Sequence, residues 1–167
     1  MKVLQTQRLQ LYKITEADAP FYVKLFNSEN WLEYIGDRNV RTVADARAYI
    51  RKNYLSRYKK HGYGSYTVRL VETGETIGAC GLYKRDDMDH PDIGFAFLTE
   101  HLGKGYGFEA ASAVMRYAGN SLGINTILGF TVENNIASIK LLKKLGLRQK
   151  GTHTFKDDPV VLLLFSN

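Results

Sequence analysis

Phe97-Leu-Thr-Glu-His-Leu-Gly-Lys-Gly-Tyr-Gly-Phe-Glu109 is the stretch on which the reading of this chain turns. Its glycines at 103, 105 and 107 stand between an aromatic-rich strand pattern, Ile93-Gly-Phe-Ala-Phe-Leu98, and a helical pattern with Ala111, Met115, Ala118 and Leu122 along one face. Without Cβ atoms the backbone turns tightly and brings several N–H groups close to a ligand. With the positive end of the following helix dipole, those groups form a site for phosphate or pyrophosphate. The dipole supplies only ~0.3–1 kcal/mol per interaction, so backbone hydrogen bonds must carry most of the grip. The bland alternative is a plain strand-to-helix turn. Against it, each glycine inside a helix costs up to ~1 kcal/mol, which favours a ligand. Lys104 adds a charge that solvent weakens. Two familiar nucleotide loops fail on spacing. A P-loop requires Ser or Thr after its Gly-Lys pair, where Gly105 stands. A dinucleotide fingerprint requires glycine where Phe108 stands.

Working outward, Tyr66-Thr-Val-Arg-Leu-Val71 and Thr76-Ile-Gly-Ala-Cys-Gly-Leu-Tyr83 read as an antiparallel hairpin joined by a turn at 72–75. Before them, Arg8–Ile14 alternates as a half-buried strand. Thr15–Asp18 and Thr42–Asp45 each match a helix capping box, the second opening a helix to about Lys60. After the glycine stretch a helix runs to about Ser121, and a strand spans Ile124 to Val132. A helix from Asn135 to Leu145 stops at Gly146, with lysines in its last turn. A short strand near Leu147 and an apolar strand, Val160–Phe165, expected to be buried on both faces, close the chain. These patterns predict one α/β domain over residues 1–167.

Composition narrows the class. Hydrophobic residues at 44% and charged residues at 24% are ordinary for a globular domain. A lone cysteine, Cys80, excludes an internal disulfide framework and fits a reducing, cytoplasmic setting. The N-terminus lacks a signal-like apolar stretch, and no apolar run approaches the ~20 residues of a membrane helix, so no membrane role is expected. A net charge of +6 and a pI near 9.3 favour polyanionic partners. A basic nucleic-acid module is therefore a competing class. It would show steep salt-dependent binding, but no zinc-finger, helix-turn-helix or RNA-recognition motif accompanies the charge, and no nucleic-acid partner is expected. The four histidines are scattered without metal-ligand spacing, so no metal is expected. Cys80, inside an apolar strand, reads as core.

Gly103-Lys-Gly-Tyr-Gly-Phe-Glu-Ala110 resembles motif A of GNAT acetyltransferases, the loop that wraps the pyrophosphate of acetyl-CoA. Asn135-Ile-Ala-Ser138 with Leu141-Leu-Lys-Lys-Leu-Gly-Leu147 is similar to that family's motif B. Thr6-Gln-Arg-Leu-Gln-Leu11 and Thr15-x-x-Asp18 look like the branch of ribosomal-protein N-terminal alanine and serine acetyltransferases. The resemblance covers nearly the whole chain. It implies a mixed, mostly antiparallel twisted sheet of about six to seven strands, splayed between its central strands and flanked by helices on both faces. Two positions depart from the pattern. Leu102 stands where the loop usually begins with Gln or Arg, and Leu142 stands where many members place a tyrosine acid.

The resemblance implies acetyl transfer from acetyl-CoA to a primary amine by direct attack in a ternary complex. The implied cofactor contacts are Phe97, Leu98, Leu102, Gly103, Lys104, Gly105, Tyr106, Gly107, Phe108, Asn135 and Ser138. Amine attack on a thioester builds an oxyanion, for which one fixed N–H donor is worth ~3 kcal/mol. Backbone groups around Phe97 and Leu98 are the expected donors. Ser138 reads either as the proton donor to the departing thiolate or as a first-turn hydroxyl bonded to backbone. Asn135 reads as a pantetheine contact or a helix cap. The amine's proton needs an acceptor, and Asp92, just before Ile93, is the candidate base, with Glu33 and Glu133 as competitors. Trp31, Glu33 and Tyr34 are candidate acceptor contacts. A peptide N-terminus, a small amine or an aminoglycoside-like drug would each suit the scaffold, as monomer or homodimer. A CoA-binding domain that has lost its chemistry is the alternative.

Overall fold

The computed structural model describes all residues, Met1–Asn167. Eight strands form a single sheet in the order β1-β2-β3-β4-β5-β6-β8-β7. They are β1 (Lys2–Gln5), β2 (Leu9–Lys13), β3 (Ser65–Leu70), β4 (Thr76–Tyr83), β5 (Asp92–Phe97), β6 (Leu128–Thr131), β7 (Arg148–Thr154) and β8 (Val161–Ser166). Every neighbouring pair is antiparallel except β5–β6, which is parallel. Six helices cover it: α1 (Ala19–Phe26), α2 (Glu29–Tyr34), α3 (Val43–Ile50), α4 (Ser56–His61), α5 (Tyr106–Leu122) and α6 (Ile136–Lys144). No helix is long and apolar enough to cross a membrane.

The sheet carries a core on each face. On one, Ala110, Ala111, Val114 and Ala118 of α5 and Leu142 of α6 pack on Val68, Ile77, Ile93 and Phe97. On the other, Tyr22, Leu25, Phe26, Ala46, Ile50 and Tyr54 pack over Ala79 and Leu98. Strand alternation assigns the faces at the centre of the sheet. Ile93 belongs to the α5 side, so Asp92 and Gly94 face away from α5. A Cβ on Gly129 would meet Leu142 and Leu147, so Phe130 points to the opposite face.

Both capping boxes form. Thr15–Asp18 opens a short 3-10 turn ahead of α1, whose first turn accommodates Pro20. Thr42–Asp45 opens α3. The helix expected to reach Lys60 is interrupted by a π-helical turn, Arg51–Leu55, between α3 and α4. Other differences lie at the sheet's margins. β1 adds an edge strand that lacks an alternating signal in its four residues. β6 begins only at Leu128, because residues 124–127 lead up to the sheet before pairing starts. The last apolar strand is not buried on both faces. Of Val161–Ser166 only Phe165 is buried, in the cluster that holds Leu142 of α6 and Leu147. The strand near Leu147 runs seven residues as the exposed edge β7.

Candidate active site

The parallel seam between β5 and β6 is paired at a single position, Asp92 opposite Leu128, with Leu128 N–H donating to the Pro91 carbonyl at 2.9 Å. Beyond it the strands diverge. The outer edge of β5 is held by β4 and that of β6 by β8, so neither strand depends on the other. The facing edges from Gly94 to Phe97 and from Gly129 to Thr131 therefore border a gap and carry backbone groups with no strand across from them.

The glycine loop lies at the open end of this gap. A 3-10 turn, Thr99–His101, leads into Leu102, which is 46% exposed. Gly103 and Gly105 adopt φ of +73° and +80°, a conformation that disfavours any side chain. Gly107 is glycine for a different reason: a Cβ there would lie 3.1 Å from Leu141 and 3.7 Å from Phe97, where α6 and β5 crowd the loop. Every backbone N–H from Gly103 through Phe108 lacks a protein acceptor. The run ends at the N-terminus of α5, which is seventeen residues long, so the free donors and the helix dipole coincide. Lys104 is exposed, and Phe108 is partly covered by Lys144, whose ammonium lies 4.3 Å from the ring centre. Tyr106 lies under the Arg8 guanidinium at 4.6 Å.

Across the gap, β6 delivers the chain to α6. Asn135 caps that helix, its side-chain oxygen accepting from Ser138 N–H at 3.1 Å. Ser138 is partly buried in the first turn, and its hydroxyl bonds no protein group. Leu142 is 1% exposed and packs against Gly129, so the position many family members give to a tyrosine acid is core here. The Leu98 N–H is not a free donor toward the gap. It already donates to Ile77 O at 3.0 Å, and the Leu98 carbonyl accepts from His101 N–H at 2.9 Å. An N–H donor toward the gap must come from the residues before it.

Asp92 is placed at the closed end of the gap, 3% exposed, on the face away from α5. Arg85 grips both its oxygens, Nε to Oδ1 at 2.7 Å and Nη2 to Oδ2 at 3.2 Å. Burial pushes the Asp92 pKa up, Arg85 pulls it down, and the balance stays above the usual carboxylate value. Arg85 in turn lies 4.4 Å from the Phe155 ring centre and 5.4 Å from that of Phe130. His153 joins both rings, with its Nε2 3.5 Å from Asp87. Sequence reasoning missed this cluster, because Arg85, Phe130, His153 and Phe155 come from separate strands and loops with no shared spacing.

The acceptor candidates are divided. Trp31 is 7% exposed, its ring 4.7 Å from that of Phe26 and its indole N–H donating to Gly36 O at 3.0 Å, so it belongs to the core. Glu33 is exposed and Tyr34 half-buried on α2, and the Arg38 guanidinium lies 6.0 Å from the Trp31 ring centre. The competitor Glu133 is exposed just past the end of β6.

A family profile described as an acetyltransferase (GNAT) domain matches residues 8–148. The chain is 31% identical over 153 residues to an uncharacterized N-acetyltransferase, p20, of Bacillus licheniformis, covering 90% of this chain and 85% of the relative. Among solved structures, a GnaT-family acetyltransferase from Bordetella pertussis superposes with a TM-score of 0.84 at 22% identity, covering 100% of this chain and 99% of that one. A ribosomal L7/L12 α-N-protein acetyltransferase solved in complex with coenzyme A superposes with a TM-score of 0.80 at 14% identity, covering 100% and 97%.

Proposed function

The chain belongs to the GNAT acetyltransferase family, and from that premise we propose that it moves an acetyl group from acetyl-CoA to a primary amine, a peptide N-terminus or a small-molecule amine. The observation that carries this reading is the run of unpartnered N–H groups from Gly103 to Phe108 at the mouth of the β5–β6 gap. A pyrophosphate satisfies such donors, and a pantetheine arm, with two amides, pairs with unpaired strand edges as an extra strand would.

Within this reading the loop residues Gly103–Phe108 hold the pyrophosphate, with Leu102 beside it. The edge of β5 up to Phe97 orients the thioester, and Asn135 and Ser138 border it from α6. The amine nitrogen attacks the thioester carbon, the carbon–sulfur bond breaks, and net transfer of one proton from nitrogen to sulfur completes the reaction. Ser138 relays a proton to the thiolate and regains one from water, for which its free hydroxyl is suited, so that the proton taken from nitrogen is balanced by the one given to sulfur. Asp92 receives the amine's proton through water. Each of its oxygens keeps a lone pair beyond the Arg85 contact, and its raised pKa favours accepting a proton. Glu33 and Tyr34 border the acceptor's approach on the α2 side.

Calorimetric titration with acetyl-CoA, alongside NAD, tests the cofactor. One-site binding of acetyl-CoA without NAD binding is expected. Thiol release from acetyl-CoA across a panel of peptides and amines then tests transfer. Binding without thiol release for any amine would leave a CoA-binding domain, and no binding near millimolar ligand would remove the reading altogether.

A further inference from the structure

Two residues far from the glycine loop in sequence are fastened to it. The Glu109 carboxylate, in the first turn of α5, accepts from Thr6 Oγ1 at 2.5 Å, from the Arg8 backbone N–H at 2.9 Å and from Arg8 Nε at 2.7 Å. Arg8 continues past Glu109: its Nη1 donates to the Lys104 carbonyl at 3.0 Å and its guanidinium covers the Tyr106 ring. Its Nη2 lies 3.3 Å from where a Cβ on Gly105 would stand. Burial pushes the Glu109 carboxyl up, but the bonds from Thr6 and Arg8 outweigh it and hold the carboxyl below the usual range.

A trans peptide points its C=O and N–H in opposite directions. Holding the Lys104 carbonyl against Arg8 therefore turns the Gly105 N–H away from Arg8, toward the side of the loop left open. With two glycines at positive φ, the loop has other conformations within reach, and an unrestrained peptide 104–105 is free to flip. We propose that Arg8, locked by Glu109 and Thr6, is a positioning residue that aims the loop's N–H donors at the cofactor's pyrophosphate. The inference rests on the reading of Gly103–Phe108 as the pyrophosphate site. It differs from simple charge attraction because the guanidinium's fork, rather than its charge alone, does the aligning.

The test compares acetyl-CoA affinity by calorimetry in wild type, Arg8→Gln, Arg8→Lys and Glu109→Gln, at two salt concentrations, with circular dichroism and thermal unfolding on each. Arg8→Gln should bind roughly 10- to 100-fold more weakly, the loss of about one hydrogen bond to a charged group. Arg8→Lys should fall nearly as far, since an ammonium cannot hold Glu109 and Lys104 O together. Glu109→Gln should weaken binding in the same direction, and its isosteric side chain keeps the test alive if Arg8→Gln does not fold. These ratios should hold at both salt concentrations. Full affinity in Arg8→Lys, or ratios that collapse in high salt, would reduce Arg8 to a point charge and overturn the proposal, as would unchanged affinity in Arg8→Gln. Failure of the wild type to bind acetyl-CoA would instead remove the underlying loop assignment.

Discussion

The two ends of the β5–β6 seam are built on opposite principles. At the closed end, Asp92 and Leu128 pair, Asp92 is buried and both of its oxygens are held by Arg85. At the open end the backbone from Gly103 to Phe108 is unpartnered, and side chains are nearly dispensed with at three of those six positions. At the closed end the polar side chains bond one another. At the open end Arg8 and Glu109 bond the loop from outside while its own donors stay free. One seam thus carries a buried ion pair at one end and, at the other, free backbone donors of the kind an anion satisfies.

Breaking the open end should have the largest effect. Gly105→Asp forces a side chain into φ +80° and puts a negative charge beside the pyrophosphate. Acetyl-CoA affinity by calorimetry should fall by about 10³-fold, two hydrogen bonds to a charged group, with the far-UV spectrum unchanged. Breaking the closed end should register as stability instead. Arg85→Ala leaves Asp92 buried without its cation and should cost roughly 3 kcal/mol in denaturant unfolding. The deficit should depend on pH. The pKa of Asp92 is already raised in the folded protein, so its protonated form suits the fold, and its contribution is lost as pH rises through that folded pKa. Without Arg85 the pKa rises further. The deficit should be wide at pH 8 and narrower toward pH 5, and a pH-independent deficit would show that the ion pair is not its source. Between the two ends, Ser138→Ala should lower turnover by about 10²-fold with acetyl-CoA affinity unchanged. Unchanged turnover would make Ser138 a helix-start residue only. Smallest of all, Lys104→Ala should change affinity by less than about 5-fold, since its exposed ammonium is screened and the loop's grip is in its backbone.

The glycine pattern at the open end and Asp92 at the closed end were legible in the sequence, and the cation that grips Asp92 was not. Gly103 and Gly105 are legible because local conformation demands glycine there, whereas Gly107 answers to crowding by Leu141 and Phe97. Asn135 and Ser138 came from the resemblance to a family motif, α5 from helical spacing and α6 from its stop at Gly146. The hairpin β3–β4 followed from strand patterns flanking a polar turn. By contrast, Arg85 with Asp92, and Arg8 with Glu109, are pairs formed only when distant segments meet, and no one-dimensional spacing announces such meetings. Trp31 shows the same limit from the other side. An aromatic in the segment expected to meet the acceptor turns inward, because Phe26 and the Gly36 carbonyl satisfy both its ring and its N–H. The partial burial of β8 was likewise invisible, since an apolar run does not say how much of each face will be covered.

The independence of β5 and β6 also bears on how fast a ligand arrives. Because each strand is satisfied along its other edge, filling the gap between them breaks no ladder, and docking is an encounter rather than a rearrangement. The association rate is then set by diffusion and by the pull of a chain with net charge +6 on a polyanion. On the proposed reading, residence is governed by hydrogen bonds inside the seam, so added salt should slow arrival much more than it hastens departure.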